Sequence, residues 1–177
     1  MRPLTPVQQK FVLHWGEMGT RWGINRTVAQ IHALLFIADR PLPADEIMEL
    51  LSIARSNVST SLKELQGWGI VRVVHVVGDR RDHFESMRDV WEMFRVVIDE
   101  RKRREIDPTL AILRECVAEA EKAKSADETT RKRLAELLQF FEKTTSWYEQ
   151  MRGVPTSVVI KVLNMGDRVL KLLGVGG

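Results

Sequence analysis

The chain has 177 residues, is 44% hydrophobic and carries a formal net charge of +3, enough for one medium domain or two small ones with a core. No apolar run follows Met1-Arg2-Pro3, no stretch approaches membrane-spanning length, and Cys116 is the single cysteine. Secretion, membrane insertion and an internal disulfide are therefore not expected, and a reducing cytoplasm is the expected location. The modest charge is compatible with a nucleic-acid partner without demanding one, so the placement of the charges decides.

The first predicted helix runs from Val7 to Met18, with Phe11, His14 or Trp15, and Met18 on one side, and Gly19 to Gly23 breaks it. Asn25 is placed to cap a second helix whose buried face is Val28, Ile31, Leu35 and Ala38. Arg40-Pro41-Leu42-Pro43 forces an extended link, because a residue before proline avoids the helical region. Between Ala44 and Leu65, two short amphipathic segments follow. The first carries Ile47, Leu50 and Leu51, and after Ser52-Ile53 the second carries Val58, Leu62 and Leu65. At 100° per residue the face opposite Val58 presents Ser56, Thr60 and Lys63, flanked by Asn57 and Ser59. Such a small, hydrogen-bonding surface can enter a major groove and reach base edges. Gly67-Trp68-Gly69 closes the segment.

Ile70 to Val77 reads as a strand by its valines, Gly78-Asp79-Arg80-Arg81 as a turn, and Asp82 to Glu85 as the return strand. From Met87 onward the pattern is helical. Trp91, Phe94 and Ile98 lead into the basic run Arg101 to Arg104, and Asp107-Pro108 interrupts or kinks the helix. Leu110, Leu113, Val117 and Ala120 continue the stripe, Ser125 to Glu128 reads as a break with fresh capping, and Leu134, Leu138, Phe141, Tyr148 and Met151 mark the next helix. Beyond Gly153-Val154-Pro155, a last helix carries Val158, Val162, Val169 and Leu173.

The expected fold class is mainly α with a small β-hairpin wing, a winged helix-turn-helix plus a helical dimerisation extension. The division falls at 1–88 for the N-terminal helix and DNA-binding domain and 89–177 for a dimerisation and effector-sensing region. Apolar stripes that a small winged domain cannot cover are most simply met by a second copy of the chain. The stripes from Phe11 to Met18 and from Val158 to Leu173 are the expected interface.

Residues 25–86 resemble the MarR superfamily of bacterial and archaeal transcription regulators, and within it the GbsR-like branch. The matching residues are Leu51-Ser52-Ile53-Ala54-Arg55-Ser56-Asn57-Val58-Ser59, Leu62-Lys63-Glu64-Leu65, Gly69-Ile70-Val71 and Gly78-Asp79-Arg80-Arg81-Asp82-His83-Phe84. Trp22-Gly23 before Asn25 and the Gly-Asp-Arg-Arg tip favour this branch. The resemblance implies a homodimeric repressor of transcription, with recognition helices in successive major grooves and wings against the backbone or minor groove. It assigns Arg55, Ser56, Asn57, Ser59, Thr60 and Lys63 to the recognition helix and Arg80 and Arg81 to the wing tip. Ala54 departs from the pattern: many relatives carry a capping Ser there, and Ala cannot cap. Either Ser52 or another group compensates, or the helix starts a residue later.

Other residues leave alternatives open. Trp91, Phe94, Trp147 and Tyr148, with Phe140 and Phe141, either fill a helical core or line a cavity for a quaternary ammonium effector. Core packing is the favoured reading, and the resemblance is what raises the second use, since some GbsR-like regulators are linked to choline and glycine betaine metabolism. The Arg101 to Arg104 run is either a solvated face or a contact to flanking DNA. His14, His32, His75 and His83 show no metal-ligand spacing; His32 reads as a satisfied packing residue and Cys116 as a small core residue. No nucleophile–base pair, phosphate-cradling loop or paired carboxylates supports an enzyme, and no cofactor is expected. The alternative function is a winged-helix interaction module of transcription or chromatin machinery.

Overall fold

The computed structural model describes residues 3–122 and 127–166. Eight α-helices and a three-stranded antiparallel sheet account for most of these, and they fall into two compact units, Met1–Val97 and Ile98–Gly177. The first unit runs on past the expected division at 88 and 89, because the start of the helix after the sheet packs with the winged unit. No helix among the described residues is long and apolar enough to cross a membrane.

In the first unit α1 spans Pro6–Arg21. It starts before the expected Val7 because Thr5 and Gln8 form a reciprocal capping box, with the Thr5 side chain accepting from the Gln8 amide and Gln8 accepting from the Thr5 amide. It continues past Gly19, which is buried inside the helix rather than ending it. A Cβ added at Gly19 would lie 2.5 Å from the Ala29 Cβ, so the missing side chain is what lets α1 lie close against α2, Arg26–Ile37. Val12, Gly16 and Gly19 are the buried line of α1, and Phe11 and Trp15 are half-buried against the same core. That α1 surface is therefore already covered in large part within the chain, which narrows what it can offer a partner.

Asn25 caps α2 as expected, its side chain accepting from the Thr27 amide at 2.8 Å. Val28, Ile31, Leu34 and Leu35 of α2 are almost fully buried, so this helix forms the centre of the winged core. His32 lies there too, beside Trp15 and Phe36. It is a packing residue but not a satisfied one: its Nε2 is buried with no hydrogen-bond partner among the described residues. Desolvation lowers its pKa to about 4, keeping the ring neutral. The Arg88 guanidinium donates to the Phe36 and Ala38 carbonyls at the C-terminus of α2, satisfying acceptors that the helix leaves free.

The proline link is more than a link. Leu42–Pro43 forms β1, paired antiparallel with β3, His83–Ser86, which in turn pairs with β2, Val71–Val74. β2 is shorter than the expected Ile70–Val77, and β3 is as long as the expected Asp82–Glu85 but shifted one residue on, leaving a long tip from 75 to 82. Between β1 and β2 come α3, Ala44–Leu51, and α4, Arg55–Gly67, joined by Ser52 in the left-handed region at φ 52°. The last helix of this unit, α5, begins at Val90 and reaches Arg101 across the unit boundary. Its Met93, Val96 and Val97 pack on the winged core.

In the second unit a π-helical turn, Lys102–Ile106, leads into α6, Asp107–Lys122. Pro108 accounts for its position: the ring lacks an N–H and crowds the carbonyl four residues back, so the helix widens just ahead of it. Leu110, Leu113 and Ala120 are buried along α6, and Cys116 is half-buried beside them. Helix α7, Glu128–Arg152, packs against α6 and is capped by Asp127, whose carboxylate accepts from the Thr130 amide at 2.8 Å. Helix α8 spans Thr156–Met165. Val169 and Leu173 of the expected last stripe, and Ser125 of the expected break, lie outside the described residues.

Candidate nucleic-acid interface

Helix α4 divides into two faces as its 100° periodicity requires. Val58, Ser61, Leu62 and Leu65 are buried, with Val58 at 0% exposure. Arg55, Ser56, Asn57, Ser59, Thr60 and Lys63 are all exposed, so the six predicted recognition-helix residues share the outward surface. The buried side anchors the helix on α2 and α3, and the outward side is free of apolar bulk.

The start of α4 is uncapped. Ala54 is the N-cap residue and makes no side-chain bond to the first turn, and Ser52, in the turn, does not substitute for it. The first-turn amides thus have no side-chain acceptor from the N-cap, and they belong to the exposed residues Arg55, Ser56 and Asn57. An exposed positive helix end of this kind favours an anion over a neutral neighbour.

The two wing arginines have different environments. Gly78, at φ 86°, takes the tip through a turn that L-residues rarely adopt, and Asp79 follows. The Asp79 carboxylate accepts from the Arg81 amide, from Arg81 Nε and from Arg81 Nη2. These bonds hold the Asp79 carboxyl well below the usual carboxylate range and raise the Arg81 guanidinium. Asp79 Oδ2 also lies 3.4 Å from Nε2 of the buried His83, whose Nδ1 is 2.9 Å from the Arg81 carbonyl. Arg80 is exposed with no hydrogen bond or ion pair among the described residues. The pair thus divides into an engaged member and a free one, a distinction that residue type alone does not make.

The same sorting applies to the other cations between residues 53 and 81. Arg72 is held by Glu85, with Nε at 2.6 Å from Oε1, and Arg55 stands 3.9 Å from Asp45. Lys63 has no ion pair among the described residues. The free positive charge is therefore concentrated at Lys63 and Arg80, with Arg55 loosely held.

The basic run at 101–104 is neutralised within its own unit. Lys102 lies 2.7 Å from Asp107 and 3.3 Å from Glu149, Arg103 lies 2.7 Å from Glu100, Arg104 lies 3.5 Å from the same carboxylate, and Arg101 lies 3.7 Å from Glu105. Four adjacent cations facing acids make a poor phosphate patch.

The aromatic residues fall in both units. Trp91 and Phe94 are exposed on the part of α5 that belongs to the winged unit, and Trp147 is 64% exposed on α7. Tyr148 is half-buried, its hydroxyl donating to Asp99 at 2.8 Å, and Asp99 also lies 3.0 Å from Arg152. Phe140 and Phe141 meet edge to face at 5.7 Å. Sequence reasoning missed two features here: Asp79 as the residue that orients the wing, and an exposed second stripe on α7. The first was signalled by its i, i+2 spacing to Arg81, and the second by Leu137, Phe140 and Trp147 recurring at helical intervals.

Residues 22–82 match the family model described as the MarR family. The HTH-type transcriptional repressor GbsR of Bacillus subtilis (strain 168) is 23% identical over 140 residues, covering 77% of each chain. A solved chain described as the crystal structure of a transcriptional regulator superposes with a TM-score of 0.64 at 19% identity, over 84% of this chain and 97% of that one. At that identity the likeness is one of fold.

Proposed function

This chain belongs to the MarR family of helix-turn-helix transcription regulators through its winged domain, and from that premise we propose that it binds double-stranded DNA sequence-specifically as a homodimeric repressor. The observation that carries the reading is the outward face of α4, where Arg55, Ser56, Asn57, Ser59, Thr60 and Lys63 are exposed together over a buried Val58–Leu62–Leu65 anchor. Asn57 and Thr60 are short enough to meet base edges, and Asn can make paired hydrogen bonds to adenine. The uncapped first turn and Lys63 suit phosphate oxygens, which position a reader without specifying sequence. Arg80 reaches the backbone or minor groove from the wing tip, and Arg81 keeps the tip in shape while held by Asp79.

Two copies place two recognition helices on successive half-sites, so anything that alters their separation breaks the match. A small ligand that binds one separation better than the other regulates the protein by that difference in affinity. The relative's role as a repressor supports the sign of regulation, and two aromatic pairs are separate candidates for holding a quaternary ammonium, Trp91 with Phe94 in the first unit and Trp147 with Tyr148 in the second. Calorimetry with choline and glycine betaine tests that part: heat of binding together with a shifted DNA isotherm supports it, and neither signal returns these aromatics to packing. Selection of bound duplexes from random DNA tests the whole reading. A recurring palindrome with two half-sites is the expected result, and recovery of unrelated sequences would leave an interaction module as the better account.

A further inference from the structure

His83 is the first residue of β3, paired across the sheet with Pro43 of β1 and Val74 of β2, and it is buried. Both of its ring nitrogens face oxygens. Nδ1 lies 2.9 Å from the Arg81 carbonyl, and Nε2 lies 3.4 Å from Asp79 Oδ2. A carbonyl can only accept, and so can an ionised carboxylate. A neutral imidazole carries one N–H, so in either tautomer one of these contacts sets a lone pair against an oxygen. The imidazolium donates at both. Away from water such a mismatch is costly.

Asp79 is ionised in this setting. Its bonds from the Arg81 side chain and amide hold its carboxyl well below the usual carboxylate range, and the charge of His83 acts in the same direction. The contacts therefore close on themselves. His83 meets the Arg81 carbonyl, the Arg81 guanidinium and amide meet Asp79, and Asp79 returns to His83. Strand pairing fixes His83, so this loop ties the tip to the sheet.

The charges around the loop are matched elsewhere. Glu85, two residues along β3, is held by Arg72, Glu46 of α3 is held by Arg40, and Asp45 stands 3.9 Å from Arg55. His75 is exposed and lies 4.0 Å from Asp82. Among the described residues, only Asp79 comes within ion-pair distance of the His83 ring.

We propose that His83 is a positioning residue of the wing whose proton sets the tip: as the imidazolium it holds Asp79, and through Asp79 the Arg81 guanidinium, against the root of β3. Loss of that proton turns one of its two contacts repulsive and loosens the tip. The consequence for DNA rests on the contact proposed for the wing. Duplex binding selects the fixed tip, so it takes up protons and weakens as pH rises across the range of about 5 to 8 in which histidines change charge.

Proton–nitrogen spectra of the imidazole in the full chain test the tie without DNA. At the acid end of that range His83 should be protonated at both nitrogens, with the Arg81 amide protected from exchange by its bond to Asp79. As the ring loses its proton, the protection factor of that amide should fall by about threefold or more. A ring with a single N–H at the acid end, or an Arg81 amide whose protection ignores the His83 titration, would overturn the proposal.

Titration of the duplex recovered by selection then tests the coupling. Affinity of the parent should fall with rising pH by up to about tenfold per pH unit for each wing that takes up a whole proton. His83→Gln keeps a donor and an acceptor but carries no charge, and should flatten the profile, whereas the exposed His75→Gln should leave it unchanged. Equal profiles for His83→Gln and the parent would overturn the coupling. A tip that follows the His83 proton in a chain that binds no duplex would support the tie and remove the DNA reading instead.

Discussion

Asp79 grips Arg81 at two points, with Nε 3.0 Å from Oδ1 and Nη2 2.6 Å from Oδ2, while the adjacent Arg80 is left free. Two neighbouring arginines in the same turn therefore have different environments, and the proposed DNA contact of the wing gives them separable roles.

Arg80→Ala should weaken binding to cognate and random duplex by the same factor and make the salt slope shallower by about 0.9 for one lost phosphate contact. Arg81→Ala and Asp79→Ala should act differently, loosening the tip and raising the hydrogen-exchange rate of its amides. Titrations at several salt concentrations check the first, and exchange measurements check the second. Identical salt slopes for Arg80→Ala and the parent would show that the free guanidinium does not touch phosphate.

Asn57→Ala should leave thermal stability nearly unchanged, since the side chain is exposed, and should cost ~1–3 kcal/mol of discrimination at one base-pair position per half-site. Val58→Ala is the matched contrast. Its side chain is at 0% exposure, so its loss should destabilise the fold by on the order of 2 kcal/mol. Binding to a library of single-base operator variants, with melting curves alongside, separates reading from folding.

His32 should give a pH dependence of stability. Burial lowers its folded-state pKa from 6.5 to about 4. Between those values the unfolded chain binds the proton and the folded chain does not, so stability rises with pH across this window and falls on acidification. The slope from this residue alone approaches roughly 1.4 kcal/mol per pH unit at its steepest. Denaturant midpoints of the parent should fall from about pH 6.5 toward pH 4, and His32→Leu should flatten that part of the curve. A parallel fall in both proteins would assign the slope to other groups.

Two glycine substitutions should change stability in opposite directions. Gly19→Ala puts a methyl 2.5 Å from the Ala29 Cβ, which neither helix can yield without shifting, and should destabilise by about 1–3 kcal/mol. Gly67→Ala meets nothing within 4 Å at the end of α4, and should stabilise by about 0.4–1 kcal/mol by restricting the unfolded chain. Chemical denaturation of both variants measures the difference.

The winged pattern and the two faces of α4 were legible in the sequence, because helical periodicity is a local property: one residue every 100° places Val58, Leu62 and Leu65 opposite Thr60 and Lys63 whatever surrounds them. The Asn25 cap was legible for the same reason. Gly19 was misread as a breaker because its meaning comes from Ala29 on another helix. Leu42–Pro43 reads as a link until His83 and Phe84, far along the chain, supply the strand it pairs with.

The charges show the division most plainly. Sequence places two cations at the 80–81 wing tip and four at 101–104, a run it reads as either a solvated face or a contact to flanking DNA. Tertiary structure shows which of these are already paired. Asp107 and Glu149 converge on Lys102, and Glu100 serves both Arg103 and Arg104, whereas Arg80 and Lys63 meet no acid among the described residues. Residue type and spacing determined where the cations lie and which face of α4 looks outward. Only the folded chain decided which charges remain available, because an ion pair depends on distance in space and falls off within a few ångströms of contact.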